Sequence, residues 1–172
     1  MKYRNKEHSV AGVVFNSDQS EVLLVKRRDV PVWVLSGGAI DQEESLAQAT
    51  TREIQEETGY FVNIKRKVGE FHPKNKLTKI THIYECTIVK GSATESDETS
   101  EVKFFPVNAL PKLMPPPYHE WICYALQNHK KPLIKKTESV TYLVLAEKTL
   151  RHPKLVMKYF INRLKLRLFN YK

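Results

Sequence analysis

The segment from residue 37 to residue 60 constrains this chain most, because it places three acidic side chains on one predicted helix face. It opens with a glycine pair and continues into a predicted helix that carries Glu53, Glu56 and Glu57. Helical residues three and four positions apart are neighbours, so these carboxylates lie side by side and repel one another. Hard divalent cations such as Mg²⁺ or Mn²⁺ prefer carboxylate oxygens and would relieve that repulsion. By itself the spacing fits a metal site and an acidic, solvent-exposed helix equally well.

The residues around these glutamates fit a longer motif. From its first glycine it reads Gly, five residues, Glu, seven residues, Arg-Glu-aliphatic-any-Glu-Glu-any-Gly and then a hydrophobe. Tyr60 at the last position, where an aliphatic residue is usual, is the one departure. The motif is the Nudix box, and the chain resembles the Nudix hydrolase (MutT-like) family. The fixed positions of the box are Gly38, Glu44, Arg52, Glu53, Ile54, Glu56, Glu57 and Gly59.

The resemblance implies a hydrolase, a pyrophosphatase that cleaves a diphosphate bond in a nucleoside diphosphate linked to another group. It implies a Mg²⁺ (or Mn²⁺) cofactor on Glu53, Glu56, Glu57 and the Gly38 carbonyl. Such ions would neutralise the diphosphate and activate a water for attack on phosphorus. The nucleotide-like substrate could be a nucleoside triphosphate or a nucleotide sugar. Signatures of the dinucleoside polyphosphate, coenzyme A, NADH and ADP-ribose members are not evident downstream of the box.

Several carboxylates are candidates for accepting the proton of the attacking water. Inside the box the candidates are Glu53 and Glu56. Outside it, an acidic loop leads into a predicted strand and contains Glu98 and Glu101. Some members of the family use a glutamate from such a loop as a metal ligand or general base. The alternative for both loop residues is a solvated carboxylate.

Three arginines are predicted to support the site. We place Arg52 with the catalytic group, where it would fix the carboxylates by pairing with Glu44 or Glu56. Arg27 and Arg28 end the second predicted strand. The guanidinium group presents a planar fork of donors that matches phosphate oxygens. The resemblance favours a role for Arg27 and Arg28 in binding substrate phosphates, with a solvated strand end as the alternative.

The fold class implied by the resemblance is α/β, a Nudix-type α/β/α sandwich around a mixed β-sheet, over residues 1–128. Short apolar runs at Val10–Phe15 and Val22–Val25 predict strands, and the turn cluster between them predicts a hairpin. Strands alternate with the box helix and with a second helix from Tyr118 to Gln127. That alternation is compatible with the sandwich.

Residues 129–172 are predicted to be a basic C-terminal extension. Residues 128–172 hold 12 lysines and arginines against 2 acidic residues, a net charge of +10, whereas the rest of the chain carries −1. The run Ser139–Ala146 predicts a strand, and an amphipathic helix follows over about residues 153–169. This helix would pack on the domain or a second subunit, or contact an anionic membrane surface. Nucleic-acid binding is disfavoured because no nucleic-acid-binding fold is recognised.

The N-terminal sequence, the apolar runs and the cysteine content indicate the cellular compartment of the protein. The polar N-terminus contains no apolar segment of a secretory signal, and no apolar run approaches the ~18 residues of a membrane span. Cys86 and Cys123 are too few for a disulfide framework. We expect a cytoplasmic protein, with peripheral contact to a membrane as the alternative. The sequence predicts no particular oligomeric state. The alternative functions are a membrane-surface enzyme for a lipid-linked diphosphate and a non-catalytic nucleotide-binding protein.

Overall fold

The computed structural model describes residues 7–75 and 79–151, together with residues 153, 157 and 161 individually. The amphipathic helix predicted over about residues 153–169 therefore lies outside the described residues, apart from those three positions, which are helical. The elements in chain order are β1 His8–Val14, β2 Glu21–Arg27, β3 Trp33–Val34, β4 Gly37–Gly38, α1 Leu46–Thr58, β5 Tyr60–Pro73, β6 Ile80–Gly91, β7 Thr99–Pro106, α2 Tyr118–Leu126, β8 Leu133–Thr137 and α3 Tyr142–Arg151.

Two sheets form the body of the protein. The larger has the strand order β4-β1-β6-β5-β8 and the smaller has the order β3-β2-β7. In the larger sheet β1 runs parallel to β6 and β5 runs parallel to β8, whereas the other neighbours are antiparallel. The smaller sheet is antiparallel throughout. The prediction of a mixed sheet is confirmed.

Helices α1 and α2 cover opposite faces of the larger sheet. Val14 on β1 packs in a cluster with Ile54 of α1. The preceding residue, Val13, packs in a second cluster with Trp121 and Ile122 of α2. Successive strand residues point to opposite faces, so one strand contributes to both apolar layers. The predicted α/β/α sandwich is confirmed, and it packs Ile54 of α1 against the larger sheet.

The predicted hairpin between the first two strands is wrong. β1 and β2 belong to different sheets, and the isolated bridge Phe15–Val22 joins them at the turn. β1 instead lies between β4 and β6, and its parallel register with β6 runs from the pair His8–Ile80 to the pair Val14–Cys86. The apolar runs identified the strands correctly, but their pairing partners are distant in the chain and leave no local signal.

The C-terminal region also differs from the prediction. The run Ser139–Ala146 was predicted to be a strand, but α3 begins at Tyr142. The Thr141 hydroxyl accepts a hydrogen bond from the Val144 N–H at 3.2 Å, as a helix-capping side chain does. The strand in this region is β8, which pairs with β5 and extends the larger sheet beyond residue 128. Among the described residues, no helix has both the length and the apolar character needed to cross a membrane.

Candidate active site

Helix α1 carries the acidic residues, and both of its ends are fixed by local sequence. The Ser45 hydroxyl accepts from the Gln48 N–H, and the Gln48 side chain accepts from the Ser45 N–H, which together form a capping box. At the other end Gly59 adopts a left-handed conformation with φ of 77°. Its N–H donates to the Gln55 carbonyl at 2.9 Å. These caps determine which side chains α1 presents beside the β4 glycines.

Arg52 is the centre of an ion-pair network on α1. Its Nε and Nη2 atoms donate to the two carboxylate oxygens of Glu44 at 2.8 and 3.0 Å. Its Nη1 atom donates to Glu53 Oε1 and to Glu56 Oε2, each at 3.0 Å. The pKa of Glu44 is lowered by these hydrogen bonds from Arg52. One guanidinium group thus holds three carboxylates, and the structure contains both ion pairs predicted for Arg52.

Glu53 lies directly over the second glycine of β4. A Cβ atom at residue 38 would be 2.6 Å from both carboxylate oxygens of Glu53, so Gly38 provides the space that this carboxylate occupies. Burial raises the pKa of Glu53, the contact with Arg52 opposes that shift, and the charges of Glu56 and Glu98 add to it. Glu53 is therefore held close to the Gly38 backbone in surroundings that disfavour its negative charge.

Glu57 is the most deeply placed carboxylate of the group. Its residue surface is only 8% exposed, and its Oε2 atom accepts from the Gly37 N–H at 3.0 Å. Burial raises the pKa of Glu57 to about 7, and the charges of Glu53 and Glu98 act in the same direction. A buried carboxylate beside other carboxylates is a group that a cation would stabilise.

We refer to Glu53, Glu56 and Glu57 of α1 as the acidic cluster. The loop residue Glu98 is close enough for its charge to act on this cluster. The buried Thr99 donates from its hydroxyl to the Glu57 backbone carbonyl at 2.8 Å, and this bond ties the start of β7 to the end of α1. The charge of Glu98 consequently contributes to the raised pKa values of both Glu53 and Glu57. The Ser96 hydroxyl accepts from the backbone N–H groups of Glu98 and Thr99 and shapes the turn between them.

Glu101, the other loop candidate, is engaged elsewhere. Its two carboxylate oxygens accept from Lys26 and Lys103, each at 2.6 Å. Hydrogen bonds from Lys103 and Lys26 lower the pKa of Glu101 to about 2. Lys26 and Glu101 are paired across β2 and β7, so the sheet register directs Glu101 toward these lysines. The structure brings Glu98 to the acidic cluster and leaves Glu101 in a separate ion-pair group.

The two arginines predicted to bind phosphate have different surroundings. Arg27 donates two hydrogen bonds to Asp29, at 2.8 and 2.6 Å, and its charge also interacts with that of Glu57. Arg28 donates to the Glu95 carboxylate and to the Ser96 carbonyl, both at 2.8 Å. Arg27 therefore lies near the acidic cluster, whereas Arg28 anchors the loop that carries Glu98.

The residues that position the loop carrying Glu98 were not predicted from the sequence. Ser96 shapes the turn at Glu98, and Thr99 ties the start of β7 to the end of α1. Serine and threonine three positions apart are able to form a side-chain-supported turn, and that spacing was the available signal. The anchoring role of Arg28 had no such signal, because its acceptors lie 67 and 68 residues away in the chain.

The oxygen donors of this region fit a hard divalent cation. Glu53, Glu56, Glu57 and the Gly38 carbonyl supply the ligand types that Mg²⁺ and Mn²⁺ prefer. The raised pKa values of Glu53 and Glu57 reflect burial and repulsion that such a cation would offset. Across residues 7–75 and 79–151, no three His, Cys, Asp or Glu side chains already converge as a metal site. Arg52 partly neutralises Glu53 and Glu56 in this arrangement.

The sequence is similar to those of several known proteins. The sequence model of the family described as the NUDIX domain matches residues 6–125. A Bacillus subtilis protein provisionally named an 8-oxo-dGTP diphosphatase is 37% identical over 107 residues, which cover 62% of this chain and 71% of that protein. The ADP-ribose pyrophosphatase of Methanocaldococcus jannaschii is 31% identical over 120 residues, which cover 65% of this chain and 70% of that protein.

A solved structure supports the fold. The crystal structure of a NUDIX hydrolase from Nitrosomonas europaea matches with a TM-score of 0.66 and 20% sequence identity. The match covers 78% of this chain and 80% of that one. At this identity the likeness concerns the fold alone. The region matched by the family model ends at residue 125, before β8 and α3 begin.

Proposed function

Because the chain belongs to the NUDIX family, we propose that it is a divalent-metal-dependent pyrophosphohydrolase that cleaves a diphosphate bond in a nucleoside triphosphate or a nucleotide-sugar-like substrate. The observation that carries this proposal is the acidic cluster on α1. Glu53 occupies the space over Gly38, and the buried Glu57 accepts from the Gly37 N–H at 3.0 Å. A non-catalytic nucleotide-binding protein would have no need for this concentration of disfavoured negative charge.

The residues in and around the acidic cluster have different roles in the proposed hydrolysis. A divalent cation bound by Glu53, Glu56, Glu57 and the Gly38 carbonyl would neutralise the diphosphate and favour ionisation of water. Arg52 holds Glu53 and Glu56 in fixed positions. Arg27, at the end of β2, is close enough to Glu57 for their charges to interact, and its guanidinium group would exchange Asp29 for a phosphate oxygen. A carboxylate accepts the proton of the attacking water, whose oxygen bonds to phosphorus as the bridging oxygen leaves.

We propose Glu98 as the carboxylate that accepts this proton. Glu98→Gln is expected to lower kcat by about 10²-fold, because a glutamine cannot act as a general base. Glu101→Gln is the matched control from the same loop and should leave kcat within about twofold of wild type. Steady-state kinetics of both variants on the same substrate distinguishes them, since the charge of Glu98 acts on Glu57 whereas Glu101 binds Lys26 and Lys103.

Two results would contradict this assignment of Glu98. An unchanged kcat in Glu98→Gln would return the role to Glu53 or Glu56 within the box. A large loss in Glu101→Gln alone would show that its lysine pairs open during turnover. Thermal unfolding of both variants provides the control, because only a folded variant with a reduced kcat bears on proton transfer.

The substrate class is tested with a panel of nucleotides. The relatives carry the names 8-oxo-dGTP diphosphatase and ADP-ribose pyrophosphatase, so the panel contains nucleoside triphosphates, 8-oxo-dGTP, ADP-ribose and nucleotide sugars. Products are separated by anion-exchange chromatography after incubation with Mg²⁺, with Mn²⁺ or with EDTA. We expect at least one compound to be cleaved at a diphosphate bond, and only when a cation is present. Tight binding of a nucleotide without cleavage of any compound would support the non-catalytic alternative.

A further inference from the structure

Helix α3 exposes a stripe of apolar side chains. Leu143 and Leu150 are each 83% exposed. Seven residues make almost two helical turns, so these leucines point in directions about 20° apart. Beyond the end of α3, Met157 and Ile161 are also helical and are 61% and 47% exposed. We refer to Leu143 and Leu150 as the α3 stripe.

The start of α3 is attached to the body of the protein, although the stripe is not covered by it. The Ser139 hydroxyl donates to Glu120 of α2 at 2.8 Å. The Asn75 side chain, which follows β5, donates to the Val140 carbonyl at 2.9 Å. These bonds fix where the helix begins. The exposure of Leu143 and Leu150 then requires an occupant from outside the described chain, because monomeric proteins rarely leave such a row of large apolar side chains in water.

The net charge of the C-terminal sequence indicates the chemistry of that occupant. Residues 128–172 carry a net charge of +10, and β8 exposes Lys135 and Lys136 just before α3. Two copies of this segment brought together would place like charges against each other, which costs free energy. An anionic surface would instead attract the segment. A surface that is apolar beneath and anionic above, as a phospholipid leaflet is, complements both the stripe and the charge.

We propose that α3 is a membrane-docking helix, which lies in the plane of an anionic phospholipid surface with the α3 stripe inserted among the acyl chains. Basic side chains such as the exposed Lys135 and Lys136 would pair with the anionic lipid head groups. The proposal goes beyond hydrolysis itself, since it places a NUDIX hydrolase at a membrane. It does not require that the substrate be a lipid.

Vesicle co-sedimentation of the full-length protein tests this proposal. The two vesicle types are neutral phosphatidylcholine alone and phosphatidylcholine with about 30 mol % phosphatidylglycerol. The test variant combines Leu143→Ser with Leu150→Ser, and the matched control combines Val89→Ser with Leu113→Ser, two exposed apolar residues outside α3. We expect the wild type to sediment with the anionic vesicles, and the test variant to bind them about tenfold more weakly or worse. The control pair should bind as the wild type does, and added salt should weaken binding.

Several results would overturn the proposal. They are a wild type that fails to bind anionic vesicles at low salt, equal binding to neutral vesicles, and a test variant that binds as tightly as wild type. Sedimentation velocity without vesicles addresses a second copy as the occupant. A dimer that dissociates in the Leu143→Ser, Leu150→Ser variant would assign the stripe to self-association instead. Circular dichroism melting of each variant confirms that it is folded before binding is compared.

Discussion

Glu57→Gln and Glu53→Gln are each expected to reduce metal-dependent turnover by about 10³-fold, because glutamine offers no anionic oxygen to a hard cation. The fold should survive both changes. Glutamine at position 57 retains an oxygen that accepts from the Gly37 N–H and removes a charge from a buried position. We therefore expect the thermal unfolding midpoint of Glu57→Gln to stay within about 4 °C of wild type. Turnover is measured on the substrate found by the nucleotide panel.

A carboxylate outside the cluster provides the control for this prediction. Glu21 on β2 accepts a hydrogen bond from Asn16, and Glu21→Gln removes one negative charge without touching α1. That variant should retain turnover within about twofold of wild type. Wild-type turnover in either Glu57→Gln or Glu53→Gln would contradict the metal-binding assignment. A large loss of turnover accompanied by unfolding would instead show that the carboxylate is needed for the fold.

The acidic cluster was predictable because most of its geometry is contained in one helix. Spacing along α1 sets which carboxylates are neighbours, and a serine and a glycine at its ends fix where the helix begins and stops. Even the ion pairs of Arg52 with Glu44 and Glu56 follow from residues within a single motif. The close approach of Glu53 to Gly38 joins two elements, but the same motif contains both residues.

Where two segments or residues have similar local sequence patterns, the sequence did not predict which one takes a given role or structure. Glu98 and Glu101 occur in the same acidic loop, and only the register of β2 against β7 places Glu101 opposite Lys26. The apolar run before residue 146 resembles a strand, yet it contains the start of α3. The true edge strand, Leu133–Thr137, contains two lysines that an exposed edge tolerates and a local pattern does not favour. For Glu101 and for Leu133–Thr137 the deciding contact comes from a distant part of the chain, whereas Thr141 caps α3 locally.

Arg52→Gln is expected to lower kcat by about 10²-fold through loss of positioning. The guanidinium group makes four hydrogen bonds to Glu44, Glu53 and Glu56, each between 2.8 and 3.0 Å. Without it these carboxylates repel one another and lose their fixed orientations. Arg52→Lys restores the positive charge but not the planar fork of donors. We therefore expect kcat of Arg52→Lys to remain within about tenfold of that of Arg52→Gln.

The lysine variant distinguishes positioning from a general effect of charge. If neutralising the cluster were the whole role of Arg52, Arg52→Lys would recover wild-type kcat. Arg66→Gln is the control for effects on stability. Arg66 on β5 also donates to a buried carboxylate, that of Glu85 on the neighbouring strand β6, at 2.6 Å. We expect Arg66→Gln to lower the unfolding midpoint while the folded fraction keeps its kcat, since removing one partner of a buried ion pair destabilises the fold. The reverse pattern in Arg52→Gln, a lowered kcat with little change in the midpoint, would mark Arg52 as a positioning residue of the active site.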